Sequence, residues 1–102
     1  MRRSKQRQIN RAIEALPDAI ELMVLVIRSG LTPSAAIEAI ADQVAAPLCD
    51  TFAETNHRLH RGQRLADALD AFLEQLGPAA AGFADALSTA DRYGLPIEPV
   101  LD

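Results

Sequence analysis

At 102 residues, 49% of them hydrophobic and 24% charged, the chain supports one small domain with a real core and leaves no room for a second. Aromatic side chains make up 4% with no Trp, and alanine is frequent, a composition that suits closely packed helices rather than sheets. The net charge of -4 hides an asymmetry: from residue 12 onward five basic side chains face fourteen acidic ones, and such a body repels a phosphate backbone.

The remaining basic residues, Arg2, Arg3, Lys5, Arg7 and Arg11, crowd the start of the chain, where they can meet anionic lipid headgroups or fray in solvent. Within and after them Ile9, Ile13, Leu16 and Ile20 are spaced for a helix over residues 3–16, which Pro17 interrupts or kinks. A second helix over residues 18–29 is apolar nearly all round, the pattern of a central helix or of one whose outer face meets a partner. Its apolar run Leu22-Met23-Val24-Leu25-Val26-Ile27 is too short to cross a membrane, and the basic start has no adjacent apolar signal-peptide core.

Gly30 then ends the helix, and Thr32-Pro33 supplies an N-cap and an N1 proline for a helix through Ala36, Ile37, Ile40 and Val44. From Pro47 to Arg61, Leu48, Phe52 and Leu59 fall at near-helical spacing, with Gly62 where a left-handed cap favours glycine. Leu65, Ala68, Leu69, Phe72, Leu73 and Leu76 follow the i, i+3, i+4, i+7, i+8, i+11 pattern up to Gly77-Pro78, so residues 47–77 read as a helical hairpin. A helix from Pro78 carries Phe83, Leu87 and Ala90 to Tyr93, turns at Gly94 and gives way to another helix begun near Pro96. No strand signal and no low-complexity linker interrupt the series.

Gly30, Gly62 and Gly94 stand 32 residues apart, each preceded by a proline (Pro17, Pro47, Pro78) and followed six and seven positions later by an apolar pair: Ala36-Ile37, Ala68-Leu69, Val100-Leu101. A period of this size marks one supersecondary unit used several times. The expected fold is all-α, a compact bundle of about six antiparallel helices built from repeated helical hairpins, with the three glycines as structural turns.

Candidate chemistry is sparse. Glu54, His57 and His60 hold carboxylate and imidazole groups three residues apart, but the spacing drifts around the helix, and a solvated face beside Arg58, Arg61 and Arg64 is the plainer reading. Cys49 has no disulfide partner, fits a reduced setting, lacks any nucleophile signature and reads as a small core residue. The glycines are isolated and Gly62-Gln63-Arg64 lacks the ending of a phosphate loop. A DNA-binding helix-turn-helix wants a small residue four positions before its turn glycine; Val26 and Arg58 occupy two of those positions. No catalytic residue, cofactor, metal or nucleic-acid partner is expected.

Leu16-Pro17-Asp18-Ala19, Arg28-Ser29-Gly30-Leu31 with Ala36-Ile37, Gly62 with Leu65 and Ala68-Leu69, and then Ala90, Tyr93-Gly94 and Val100-Leu101 form an ordered set over about residues 16–101. This set resembles the type II secretion system F domain, and within it the platform proteins of tight-adherence (Tad, Flp-type) pilus systems. The resemblance implies residues 16–102 as an F-type helical bundle and residues 1–15 as a basic, juxtamembrane-like segment. It implies a non-enzymatic domain on the cytoplasmic face of the inner membrane, part of a membrane-embedded protein that couples a secretion ATPase to pilin assembly and contacts other pilus or secretion membrane components. Family members are flanked by membrane helices, so a chain without them reads as an excised domain or a short natural relative. The candidate ATPase-facing surface is the positive cluster Arg58, Arg61 and Arg64, whose alternative is pairing with Glu54 or Asp67 at helical spacing. Self-association through the helix over residues 18–29 is a further expected contact. The rival class is a free helical-repeat adaptor, supported by the period though it lacks the tetratricopeptide pattern; an enzyme built on Glu54, His57 and His60 comes third.

Overall fold

The computed structural model describes residues 2–93, all of whose regular elements are helical. In chain order these are α1 (Arg2–Arg28), α2 (Pro33–Ile40), a 3-10 turn (Ala41–Gln43), α3 (Leu48–His60), α4 (Leu65–Ala68), α5 (Asp70–Leu76), a second 3-10 turn (Gly77–Ala80) and α6 (Ala81–Tyr93). Gly94, the pair Val100-Leu101 and the helix begun near Pro96 lie outside the described residues.

The two expected N-terminal helices are one. α1 runs 27 residues with Pro17 in its interior, and crosses the expected boundary between residues 15 and 16 without a break. Pro17 is exposed, and its missing N–H leaves the Ile13 carbonyl without its usual helical donor. The buried face also differs from the isoleucine stripe. Ala12, Leu16, Ala19 and Met23 are sealed, Ile9 and Ile13 are half-buried, and Ile20 is 37% exposed. Ile9 and Ala12 border a groove against α3 and α5, and Ile20 with Met23 borders a concavity facing α6.

The turns after α1 and α3 share one construction. Gly30 has φ +115°, its N–H donating to Ile27 O and that of Leu31 to Val26 O; Gly62 has φ +97°, with Gly62 N–H to Leu59 O and Gln63 N–H to Arg58 O. Both close the last helical carbonyls five residues back, across a glycine at positive φ. Thr32 caps α2 by accepting from the Ala35 N–H at 3.2 Å. The expected helix to Val44 stops at Ile40 and tightens into the 3-10 turn, after which extended Val44 still reaches the core at 8% exposure.

The single helix expected over residues 65–76 is divided at Leu69, where Phe72 N–H reaches back only three residues to Leu69 O at 2.9 Å. Its apolar stripe is nonetheless buried, apart from Leu73 at the stripe's edge. Phe52, Phe72 and Phe83, from α3, α5 and α6, gather with ring centroids 5.2, 4.8 and 6.1 Å apart. Ile37, Ile40, Leu48, Leu69 and Leu87 surround them at 1% exposure or less. Each such side chain stabilises the fold by about 1.5–3 kcal/mol relative to exposure, so this centre, fed by α2 to α6, dominates the domain's energetics.

Candidate interface

The polar surface of interest lies along α3 and α5. Thr51, buried in the first half of α3, donates its hydroxyl to Gln75 Oε1 at 2.8 Å, and Thr55 donates to Thr51 O at 2.9 Å. The four-residue turn Arg61–Arg64 and this cross-helix bond fix α3 against α5. Two turns along, Arg58 reaches over the same seam. Its Nη2 and Nη1 donate to Glu74 Oε1 at 2.7 Å and Oε2 at 3.1 Å, while its Nε donates to Glu54 Oε2 at 2.8 Å.

A guanidinium held by two carboxylates is no longer a free positive charge. The hydrogen bonds it donates to Glu74 and then to Glu54 hold Arg58 above even its ordinary range, and those from Arg58 hold the Glu74 carboxyl below the usual carboxylate range. Its side chain is 18% exposed, so Arg58 ties helices together rather than facing solvent. Arg64 stays 86% exposed with Asp67 at 3.6 Å, and Arg61 is exposed in the turn. The positive surface is therefore two residues, Arg61 and Arg64, and the pairings with Glu54 and Asp67 are both present.

The carboxylate and imidazole group does not converge. Glu54 is engaged by Arg58, His60 Nε2 lies 3.2 Å from Glu38 Oε2 on α2, and His57 is exposed. Among the described residues no three such groups come together to hold a metal ion. Cys49 is half-buried against the core, its thiol 3.8 Å from Asp50 Oδ1.

Concavities open beside the seam and on the α1–α6 side of the domain. One, of about 320 Å³, is an open groove between the start of α1 and the α3–α5 hairpin, with Lys5, Ile9, Asp50 and Glu74 on its walls. The other, of about 110 Å³, separates α1 from α6 and is bounded by Ile20, Met23, Gly82, Phe83, Ala86 and Leu87. It is apolar on every side, a shape that receives a side chain rather than a polar substrate. Sequence reasoning passed over Glu74 and Gln75 because a bond spanning sixteen or twenty-four residues leaves no local trace. The only available signal was that both lie on the polar side of an otherwise apolar stripe.

Compared with known proteins, residues 19–102 match the profile of the family described as Type II secretion system (T2SS), protein F. The match takes in the Gly30 and Gly62 turns, the aromatic centre and the whole α3–α5 seam. The chain belongs to that family. The T2SS protein F family is one of platform proteins for secretion and pilus assembly, associated with the inner membrane. No curated protein and no solved structure matches the chain. Among the described residues of this T2SS protein F domain, no helix is long and apolar enough to cross a membrane.

Proposed function

We propose that this T2SS protein F domain is the cytoplasmic part of an inner-membrane platform protein in a Tad (Flp-type) pilus assembly system. It couples the secretion ATPase to pilin assembly through protein contacts and catalyses no reaction itself. The observation that carries the reading is the family match over residues 19–102 on an all-helical domain; the Tad assignment draws on the ordered motifs around Leu16-Pro17, Gly30 and Gly62. On this reading the domain is a bundle of about six antiparallel helices.

Arg61 and Arg64 are the contact we assign to the ATPase, since Arg58 is spent within the fold. Exposed charges of this kind act mainly on association rate and salt dependence. Ile20 and Leu25, the latter 62% exposed, provide apolar surface for self-association of the domain.

The test is a titration of the purified domain with the secretion ATPase of the same organism. Saturable binding that weakens in Arg61→Glu/Arg64→Glu, chiefly through a slower on-rate, supports the reading. Binding untouched by the double reversal moves the contact elsewhere, and no binding by a helical, folded domain removes the ATPase from it.

A further inference from the structure

α1 carries a second apolar line beside its sealed one. Ile13, Pro17, Ile20, Val24 and Ile27 follow one another at alternating steps of four and three, the spacing of a helix–helix seam. Ile13, Val24 and Ile27 are half-buried, Pro17 is exposed and Ile20 is 37% exposed. At 1.5 Å per residue the line is about 21 Å long, enough for roughly four turns of a helix laid beside it. α1 packs on α2, α3 and α5 but stands off from α6, so on that side the seam is open.

The opening between α1 and α6 is the concavity of about 110 Å³, with buried Met23, Phe83 and Leu87 in its floor and exposed Ile20, Gly82 and Ala86 at its lip. A cavity of roughly 150 Å³ admits benzene, so this one has room for a single branched aliphatic side chain. Gly82 and Ala86, one turn apart, keep the α6 wall low and let a visiting backbone come close.

The rim is acidic. Glu14 and Glu21 each follow an isoleucine of the apolar line and are exposed along its outer edge, and Asp85 is exposed on α6 between Gly82 and Ala86. Among the described residues none of the three forms an ion pair, whereas Arg28 and Arg92, farther along the same helices, already have partners. Two copies of the chain meeting through this face would set Glu21 and Asp85 among like charges, and an anionic lipid surface would meet the same repulsion. A helix with an apolar ridge and cations beside it meets attraction instead.

We propose that the α1–α6 groove docks a basic amphipathic helix of a partner protein, with one leucine-sized ridge side chain seated between Ile20 and Ala86 and flanking Lys or Arg residues facing Glu21 and Asp85. The self-contact then falls to Leu25, about 140° round α1 from Ile20. The docking does not rest on the ATPase assignment.

The test is selection on the purified 102-residue chain of displayed helical peptides, about 15 residues long to match the apolar line, with ridge and flanking positions varied. Recovered peptides should carry Leu, Ile or Met at the ridge and Lys or Arg beside it. Replacing that ridge residue by Ala should weaken binding at least about tenfold, and Ala86→Leu in the domain, which fills the groove from an exposed position, should weaken it as much with Tm unchanged. Glu21→Lys/Asp85→Lys should invert the charge preference, so that a peptide with Glu in place of its flanking cations binds more tightly than the original, an outcome that a damaged fold does not produce. In a methyl-labelled domain the Ile20 and Met23 resonances should move on titration and those of Leu25 should stay. Peptides recovered without a basic flank, binding indifferent to Ala86→Leu, or no binder from the library would each overturn the proposal. So would a dimer that Ala86→Leu dissociates, since the occupant would then be a second copy. No ATPase is present, so the outcome is independent of the titration that tests motor coupling.

Discussion

Arg58 on α3 and Glu74 on α5 form a two-pronged ion pair, Nη2 to Oε1 at 2.7 Å and Nη1 to Oε2 at 3.1 Å, with Glu54 holding the third nitrogen of the same guanidinium. A fork matched by a carboxylate has both geometry and charge in its favour, and a second carboxylate on Nε prevents the side chain from swinging away. The pair closes the α3–α5 hairpin at the end nearer Gly62, while Thr51 and Gln75 close it farther along α3.

The clamp makes stability depend on acid. Hydrogen bonding by Arg58 lowers the Glu74 pKa from its ordinary 4.5, so the folded state holds that proton less tightly than the unfolded chain does. Stability from the pair is then complete above the unfolded value and is lost as pH falls through the folded one. Melting curves from neutral pH to strong acid should show a drop in Tm beginning below about 4.5. Glu74→Gln should lower Tm at neutral pH and make that drop shallower, and the exchange Arg58→Glu/Glu74→Arg should recover part of the loss. An unchanged acid profile in Glu74→Gln would show that the pair is only a surface decoration.

Gly62 and Gly82 give a contrast in which space is the same and backbone differs. A Cβ added at either meets nothing within 4 Å, but Gly62 has φ +97° whereas Gly82 sits in the first turn of α6 at ordinary helical φ. Gly62→Val should cost more than about 1 kcal/mol, all of it backbone strain. Gly82→Ala should gain up to about 1 kcal/mol from helix propensity and a less flexible unfolded chain. Urea denaturation of the two variants reads both signs; equal effects would mean that the left-handed turn at Gly62 is not what its geometry says.

What was legible in the sequence divides along local and non-local lines. The Gly62 cap, the Thr32 N-cap and the stripe of Leu65, Ala68, Leu69, Phe72, Leu73 and Leu76 are written within a few helical turns, and each is where the pattern put it except Leu73, which is exposed at the stripe's edge. α1 continues through Pro17 because its buried line, Ala12, Leu16, Ala19 and Met23, packs on the core on both sides of the proline and outweighs the helix-breaking cost, and that burial is a tertiary fact. The candidate surface shrank for a related reason. Arg58 reads as one of three exposed cations until Glu74, distant in sequence, is brought to it. Arg61 and Arg64, the first and last residues of the turn, are exposed.

Pro17 is also where sequence and fold disagree most usefully. It stands in the interior of the 27-residue α1, exposed, flanked by the buried pair Leu16 and Ala19. Proline inside a helix costs up to about 3 kcal/mol relative to alanine through the lost N–H bond and the ring's clash with the carbonyl four residues back. Because the ring has no core contact to lose, Pro17→Ala should raise stability, by about 1 kcal/mol or more and at most about 3, with greater protection of the amides around Ile13 to Glu21 in hydrogen exchange. If the variant is instead less stable, the proline must fix a bend in α1 on which the Ala12, Leu16 and Met23 contacts with the core depend.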